Sequence, residues 1–421
     1  MSKKTADTQP DCDQPITGLL SVTEARQRIL DSVTPTKGQE KLAIRESLER
    51  VLSTDILSTL NVPPHDNSAM DGYAIKYQDI PQSGQFDLKL AGTAFAGKPF
   101  TGKLAAGQAI RIMTGAVIPD GADTVVMQEH VERNGETVTL SVGHQKGNHI
   151  RHIGEDMKIG QTVLEKGQWV TPAELGLMAS LGIAEVAVNR KCRVAFFSTG
   201  DELRSIGEPL EAGQIYDSNR YTLYGMLKRM NVDIIDMGVI ADKREAIRQA
   251  FQTAANIADV VLTSGGVSVG DADYVKETLE ELGEINFWRV AMKPGKPLAI
   301  GRINNAAFFG VPGNPVSAMT TFYQFVKPAL EKMMGITPTF ALTLKVPCMA
   351  KLKKNAGRLE YQRGILTCNN EGEPVVDSSG VQGSHIMTSM SRANCFIILP
   401  AGNAGVDPGD LVEVQPFAGL I

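Results

Sequence analysis

Arg193-Val194-Ala195-Phe196-Phe197-Ser198-Thr199-Gly200-Asp201-Glu202 begins as an apolar run and stops abruptly at hydroxyls, a glycine and two acids. The run from Val194 to Ser198 reads as a short buried strand. Downstream, Val232 to Ile240 and Val260 to Thr263 repeat the pattern, and helical periodicity fills the intervals. One helix is expected over Tyr221 to Met230. Another is opened by Asp242 with Glu245 at capping-box distance, and a last one runs from about Pro315 to Met334. Strand and helix in alternation are the mark of an open, doubly wound α/β sheet, expected here over residues 189–336.

Beyond Pro338 the texture returns to short strands, such as Leu342 to Val346 and Cys395 to Leu399. A separate C-terminal β domain is expected over 337–421. On the other side, Ser21-Val22-Thr23-Glu24 has capping-box spacing, with Ala25, Ile29 and Leu30 at helical intervals after it. Ile44, Leu48, Val51 and Leu52 suggest a second short helix. From 61 to 150, β-branched runs punctuated by Gly, Pro, Asn and Asp spell a small β module. Helical writing resumes at Thr171-Pro172-Ala173-Glu174. The β module therefore reads as an insertion at 61–150 into an elongated N-terminal domain made of 17–60 and 151–188. Residues 1–16 read as a disordered polar tail. The fold class expected is a multidomain α/β plus β protein.

Composition removes several function classes. The chain has 421 residues, 43% apolar and 21% charged, with a net charge of −5. Such a balance supports real cores and argues against bulk gripping of nucleic acid. The five cysteines include no CxxC pair, so neither a disulfide framework nor a cysteine zinc site is supported. No apolar run is long enough to span a membrane, and no signal peptide is legible near the N-terminus. A cytoplasmic location is expected, without membrane or nucleic-acid partners. GxxxxGK[ST] is absent and no GxGxxG follows a strand, so ATPases and dinucleotide-dependent dehydrogenases are poor fits.

In open α/β sheets, ligands bind beyond the carboxyl ends of the strands. Ser198-Thr199-Gly200-Asp201-Glu202 and Ser264-Gly265-Gly266-Val267-Ser268-Val269-Gly270-Asp271-Ala272-Asp273 both occupy that position. Glycines admit a ligand to the backbone and serines offer hydroxyls, while Glu202, Asp242, Asp271 and Asp273 suit Mg²⁺ bridged to phosphate. Each loop alone could be an ordinary turn. Both together with Lys293-Pro294-Gly295-Lys296-Pro297, a stiff turn presenting two cations, are harder to explain so. Gly310 to Ser317 makes another rigid strand-to-helix corner. In the β module, Pro63 to Ala74 is a long irregular stretch with two acids, and Arg111 to Ala116 ends a strand at Thr114 and Gly115. His149 and His152 could suggest a metal pair, but no third ligand stands nearby.

Six segments, Asp66 to Ala74, Ile112 to Ala116, Ser198 to Leu203, Ser264 to Tyr274, Lys293 to Pro297 and Pro312 to Ala318, resemble the signatures of the molybdopterin molybdenumtransferase family, MoeA and the E domain of gephyrin. They stand in the family's order, and the resemblance runs from about Thr17 to the C-terminus. It implies an α/β domain similar to the molybdopterin adenylyltransferases and an elongated homodimer with composite active sites. It further implies Mg²⁺-assisted insertion of molybdate into adenylylated molybdopterin, with release of AMP, and contact with the upstream adenylyltransferase. Asp71, Thr114, Glu202, Asp242 and Asp273 take catalytic roles by resemblance, with Asp242 and Asp273 at the metal. Ser264, Gly265, Gly266, Ser268, Pro312 and Asp156 take binding roles. Lys293 and Lys296 would receive molybdate, with Arg363 and Ser384 as further oxyanion contacts. Arg289 stands where some relatives carry lysine. The alternatives are a molybdopterin adenylyltransferase, which can consist of the α/β domain alone, and a gephyrin-like scaffold without turnover.

Overall fold

The structure, a computed structural model, describes residues 18–265, 274–336 and 341–421. The expected tail over 1–16 lies outside the described residues. The first helix, α1 (Val22–Ser32), starts where Ser21 Oγ accepts the Glu24 N–H at 3.1 Å. Only half of the capping box forms, because the Glu24 carboxylate turns to Arg28 at 2.6 Å. The chain divides into two units: one gathers residues up to 40, 49–51 and 188–421, the other 41–48 and 52–187. α1 thus sides with the α/β region, although the sequence grouped it with 151–188. Arg26 fixes it there, donating to the Gln324 side chain at 2.7 Å.

In the second unit, β1 (Gly72–Ile75), β2 (Gln85–Ala94), β3 (Gln108–Ile112), β4 (Thr124–Met127), β5 (Val131–Asn134) and β6 (Thr137–Ser141) form one sheet. Its order is β4-β1-β3-β2-β6-β5, with β2 and β3 parallel and the other neighbours antiparallel. Alternate residues feed two cores, Tyr73, Ile75 and Val126 on one face and Ala74, Ile110 and Val125 on the other. The expected helix through Ile44 and Leu52 is a single 3₁₀ turn, Ile44–Ser47, since Glu49 adopts a left-handed φ of 58° that no helix continues through. α2 (Pro172–Ser180) has the full capping box: Glu174 accepts the Thr171 N–H at 2.8 Å, and Thr171 Oγ1 accepts from Ala173.

The other unit holds the α/β sheet. Its strands and helices are β7 (Arg193–Thr199), α3 (Ser218–Arg229), β8 (Asp233–Ile240), α4 (Arg244–Ile257), β9 (Val260–Ser264) and α5 (Tyr274–Leu282). They continue with β10 (Gly283–Arg289), the short β11 (Met292–Lys293), β12 (Pro297–Ile303), β13 (Ala306–Val311), α6 (Pro315–Thr321) and α7 (Lys327–Met334). The order is β8-β7-β9-β13-β12-β10. β8, β7, β9 and β13 are parallel, β12 pairs antiparallel with β13, and β10 pairs antiparallel with β12 at the edge. Phe251 of α4 meets Phe197 and Phe308 edge-on at 5.2 and 5.6 Å, and α5 adds Val275 and Leu279 to the same core. α3 packs with α6 in turn. The helix expected from Pro315 to Met334 is interrupted by a π turn, Phe322–Val326, just before Pro328. Proline lacks the N–H that regular α spacing needs, and the wider turn absorbs the mismatch.

The C-terminal domain comprises β14 (Leu344–Pro347), β15 (Leu359–Cys368), β16 (Pro374–Ser378), α8 (Met387–Arg392), β17 (Cys395–Leu399) and β18 (Leu411–Pro416). Its sheet runs β11-β15-β17-β18-β14, and β16 pairs with the later part of β15, Gly364 to Cys368, off that path. The short β11 comes from the α/β region. It pairs in parallel with β15, Met292 opposite Leu359 and Lys293 opposite Glu360, so the lysine turn is stitched into the C-terminal sheet.

Candidate active site

Three parallel strands end side by side. β7 leaves Thr199-Gly200-Asp201-Glu202, β9 leaves Ser264-Gly265, and β13 leaves Pro312-Gly313-Asn314. Gly265 has a φ of 90°, and a Cβ there would stand 3.0 Å from the Thr199 carbonyl oxygen. The residue is glycine because the two loop backbones nearly touch. Buried Asn219 fastens them further, its Nδ2 lying 2.7 Å from both Ser264 Oγ and the Gly313 carbonyl. Ser264 is therefore inside the structure, with its hydroxyl accepting from Asn219. Gly266, Ser268, Asp271 and Asp273 lie outside the described residues.

A cleft of about 770 Å³ opens over these strand ends. Thr199, Glu202, Gly265, Pro312 and Gly313, from the strand ends, line it. Lys293 and Lys296 of the lysine turn line it too, with Arg358, Gln382 and Ser384 of the C-terminal domain. Acids gather near the strand ends. Asp242 follows β8, and its backbone N–H donates to Asp201 Oδ1 at 3.1 Å. Burial first, then the Asp201 and Glu202 carboxylates, push the Asp242 carboxyl above its ordinary value. Asp242 does not cap α4 as the sequence suggested. The cap position is Lys243, one residue later, and Asp242 precedes it within reach of the charge on Asp201 and Glu202. Among the described residues, no three His, Cys, Asp or Glu side chains are grouped closely enough to hold a metal ion.

The cations of the lining come from the lysine turn and the C-terminal domain. Lys293 Nζ lies 3.0 Å from Glu360 Oε1 and remains half exposed. Lys296 is exposed, and neither it nor Arg358 forms an ion pair among the described residues. Ser384 reaches the cleft because its carbonyl accepts the Val316 N–H of α6 at 3.1 Å. Arg363, expected as an oxyanion contact, stands behind this lining at 1% exposure. Its Nε donates to Ser389 Oγ at 3.1 Å, and its Nη2 donates to the Val381 and Gly383 carbonyls at 3.2 and 3.0 Å. Burial lowers its pKa to about 10, against the opposing pull of Glu360. It braces the Gln382–Ser384 segment instead of lining the cleft.

Asp71 and Thr114 come together in the β module, at the start of β1 and just past β3. Asp71 Oδ1 accepts the Thr114 N–H at 2.7 Å and its hydroxyl at 2.8 Å. Those two bonds, the backbone one first, hold the Asp71 carboxyl below its ordinary range. Asp156 is exposed in the loop after Arg151. His152 pairs with Asp66 at 3.3 Å, and its backbone neighbour Ile153 donates to the same carboxylate. Sequence reasoning missed Asn219, Arg358 and Gln382. Asp217, the cap of α3, marked the neighbourhood of Asn219, but no local pattern distinguishes Arg358 from any surface arginine.

Family comparisons bear on the whole chain. A profile of the MoeA N-terminal region (domain I and II) matches residues 20–182, the probable molybdopterin binding domain matches 195–332, and the MoeA C-terminal region (domain IV) matches 345–417. The chain is 45% identical over 409 residues to the molybdopterin molybdenumtransferase of Haemophilus influenzae, covering 96% of this chain and 100% of that one. The chain belongs to the MoeA family. The Nostoc molybdopterin molybdenumtransferase is 34% identical, with 95% of each chain covered. The crystal structure of the molybdopterin biosynthesis moeA protein from Pyrococcus horikoshii superposes with a TM-score of 0.82 at 30% identity, covering 95% of this chain and 100% of that one. The cleft thus lies on the region matched by the probable molybdopterin binding domain, and residues of the region matched by the MoeA C-terminal model also line it.

Proposed function

We propose that this cleft is where molybdate meets adenylylated molybdopterin, so that molybdenum is inserted and AMP released. The protein is a transferase of molybdenum cofactor biosynthesis by its family. The observation that carries the finer reading is the charge of the cleft lining, in which Lys293, Lys296 and Arg358 stand in one cleft with the strand-end residue Glu202. A compact dianion is served by ammonium point charges held on a rigid turn. The strand ends at Thr199, Gly265 and Gly313 leave room for the adenylyl and pterin parts to approach the backbone.

The family resemblance implies Mg²⁺, and the donor chemistry fits. Asp242 is raised in pKa by burial and by its acidic neighbours, and an all-oxygen set under mutual repulsion suits a hard divalent cation. Asp242 would hold it together with Asp273, while Asp201 and Glu202 add negative charge nearby. When bound, the ion supplies charge neutralisation for the phosphoanhydride as it cleaves. Lys293 and Lys296 then orient the oxyanion, and Arg363 keeps Gln382 to Ser384 in place behind it.

A homodimer in the cytoplasm, with Asp71, Thr114 and Asp156 completing the partner's site, is part of this proposal and rests on the family resemblance alone. So does contact with the upstream adenylyltransferase. The test mixes purified protein with adenylylated molybdopterin, Mg²⁺ and increasing molybdate. AMP should appear in a molybdate-dependent way, and Lys296→Ala should need roughly tenfold more molybdate. A protein that folds and binds the nucleotide but never releases AMP would instead be a scaffold.

A further inference from the structure

Glu360 stands out among groups that the proposed chemistry does not use. It is 6% exposed, in the middle of a basic neighbourhood. Its Oε1 lies 3.0 Å from Lys293 Nζ, and its Oε2 accepts from Gln362 Nε2 at 3.0 Å. Its charge also acts on Lys354 and Arg363. Lys354 is itself buried, and its ammonium donates to the carbonyls of Asn355, Ala401 and Asn403. Arg363 is tied to the 381–383 carbonyls. Both of those cations are already hydrogen-bonded elsewhere. Lys293 alone among the three reaches the cleft and touches the Glu360 carboxylate.

A buried carboxylate costs several kcal/mol unless paired. The pairing of β11 with β15 sets Lys293 opposite Glu360, so the backbone delivers the lysine to its partner. With Gln362 holding the second oxygen, the carboxylate has little freedom to follow a moving ammonium. We infer that Glu360 is a positioning residue: it anchors Lys293 on the cleft wall so that the ammonium meets the incoming oxyanion with its side chain already ordered. An unanchored lysine would lose rotamer freedom on binding, and the anchor removes that cost beforehand. This inference rests on the assignment of molybdate to the lysine turn.

The test compares Glu360→Gln, Lys293→Ala and the double variant, with KM for molybdate, KM for adenylylated molybdopterin and kcat measured separately. Glu360→Gln should raise the molybdate KM about three- to tenfold, leave the pterin-nucleotide KM unchanged, and have no further effect in the Lys293→Ala background. An amine-acylating reagent, followed by peptide mass spectrometry, should label Lys293 faster in Glu360→Gln than in the wild type. Equal losses with and without Lys293 would overturn the inference, as would a fall in molybdate KM, which would make Glu360 merely a repelling charge. Unchanged Lys293 labelling would also overturn it. If Lys293→Ala leaves the molybdate KM alone while labelling still rises, the tether exists but the oxyanion assignment fails, and the positioning role fails with it. Should Glu360→Gln not fold, Glu360→Asp keeps the charge one methylene short. It should give a smaller KM rise in the same Lys293-dependent way, and a Lys293-independent effect would refute the role.

Discussion

Asp242 and Asp71 are carboxylates shifted in opposite directions, and the signs make different demands on pH. Asp71 is held below its ordinary value by Thr114, so its contribution is present at neutral pH and lost as the pH falls through the folded-state value. Asp242 is pushed up by burial and by Asp201 and Glu202, so folding favours its protonated form more than the unfolded chain does. The folded state is then better off below that raised value and loses ground as the pH rises through it. Asp242→Asn should therefore raise Tm at neutral pH by about 1–2 °C without Mg²⁺. It should do nothing near pH ~3, where the carboxyl is already neutral. Millimolar Mg²⁺ should raise the wild-type Tm, and that rise should shrink in the variant. Thermal unfolding at the two pH values, with and without Mg²⁺, checks all three outcomes, and a Tm drop at neutral pH would contradict the repulsion.

Elements meet at the ends of β7, β9 and β13, and Gly265 is where the meeting is tightest. Gly265→Ala forces a side chain onto a left-handed backbone and against the Thr199 carbonyl. It should cost about 1–3 kcal/mol in denaturant unfolding and depress activity together with stability. An alanine variant as stable as the wild type would mean that the loops are looser than described. What was legible in the sequence was local. The caps at Ser21 and Thr171, the strands at 194–198 and 260–263, and the α/β and β domains followed from spacing within a few residues of each other. What was not legible depended on distant partners. The Glu24 carboxylate preferred Arg28 to completing its box, Pro328 widened a helix that periodicity read as continuous, and β12 and β10 joined the sheet edge by antiparallel pairings. The lysine turn was visible at once as two cations on prolines. Its partner Glu360 lies 67 residues away, joined by a sheet pairing that no window of sequence contains. Arg363 illustrates the same limit, since the family resemblance implied an oxyanion contact and its burial makes it a brace.

The molecule carries a net charge of −5, yet Lys293, Lys296 and Arg358 line its cleft. Acidic bulk and basic pocket together favour a site selective for a small anion over nucleic acid. That lining exists because β11 leaves the α/β region and joins the C-terminal sheet, so neither domain alone could build it. The most direct test locates the metal oxyanion itself. Crystals soaked in molybdate, with diffraction recorded on both sides of the molybdenum absorption edge, should show an anomalous peak in the cleft within hydrogen-bonding reach of Lys293 and Lys296. The peak should vanish in the doubly substituted Lys293→Ala, Lys296→Ala protein. A molybdenum peak at saturating molybdate that lies elsewhere, or that persists without the two lysines, would contradict the account.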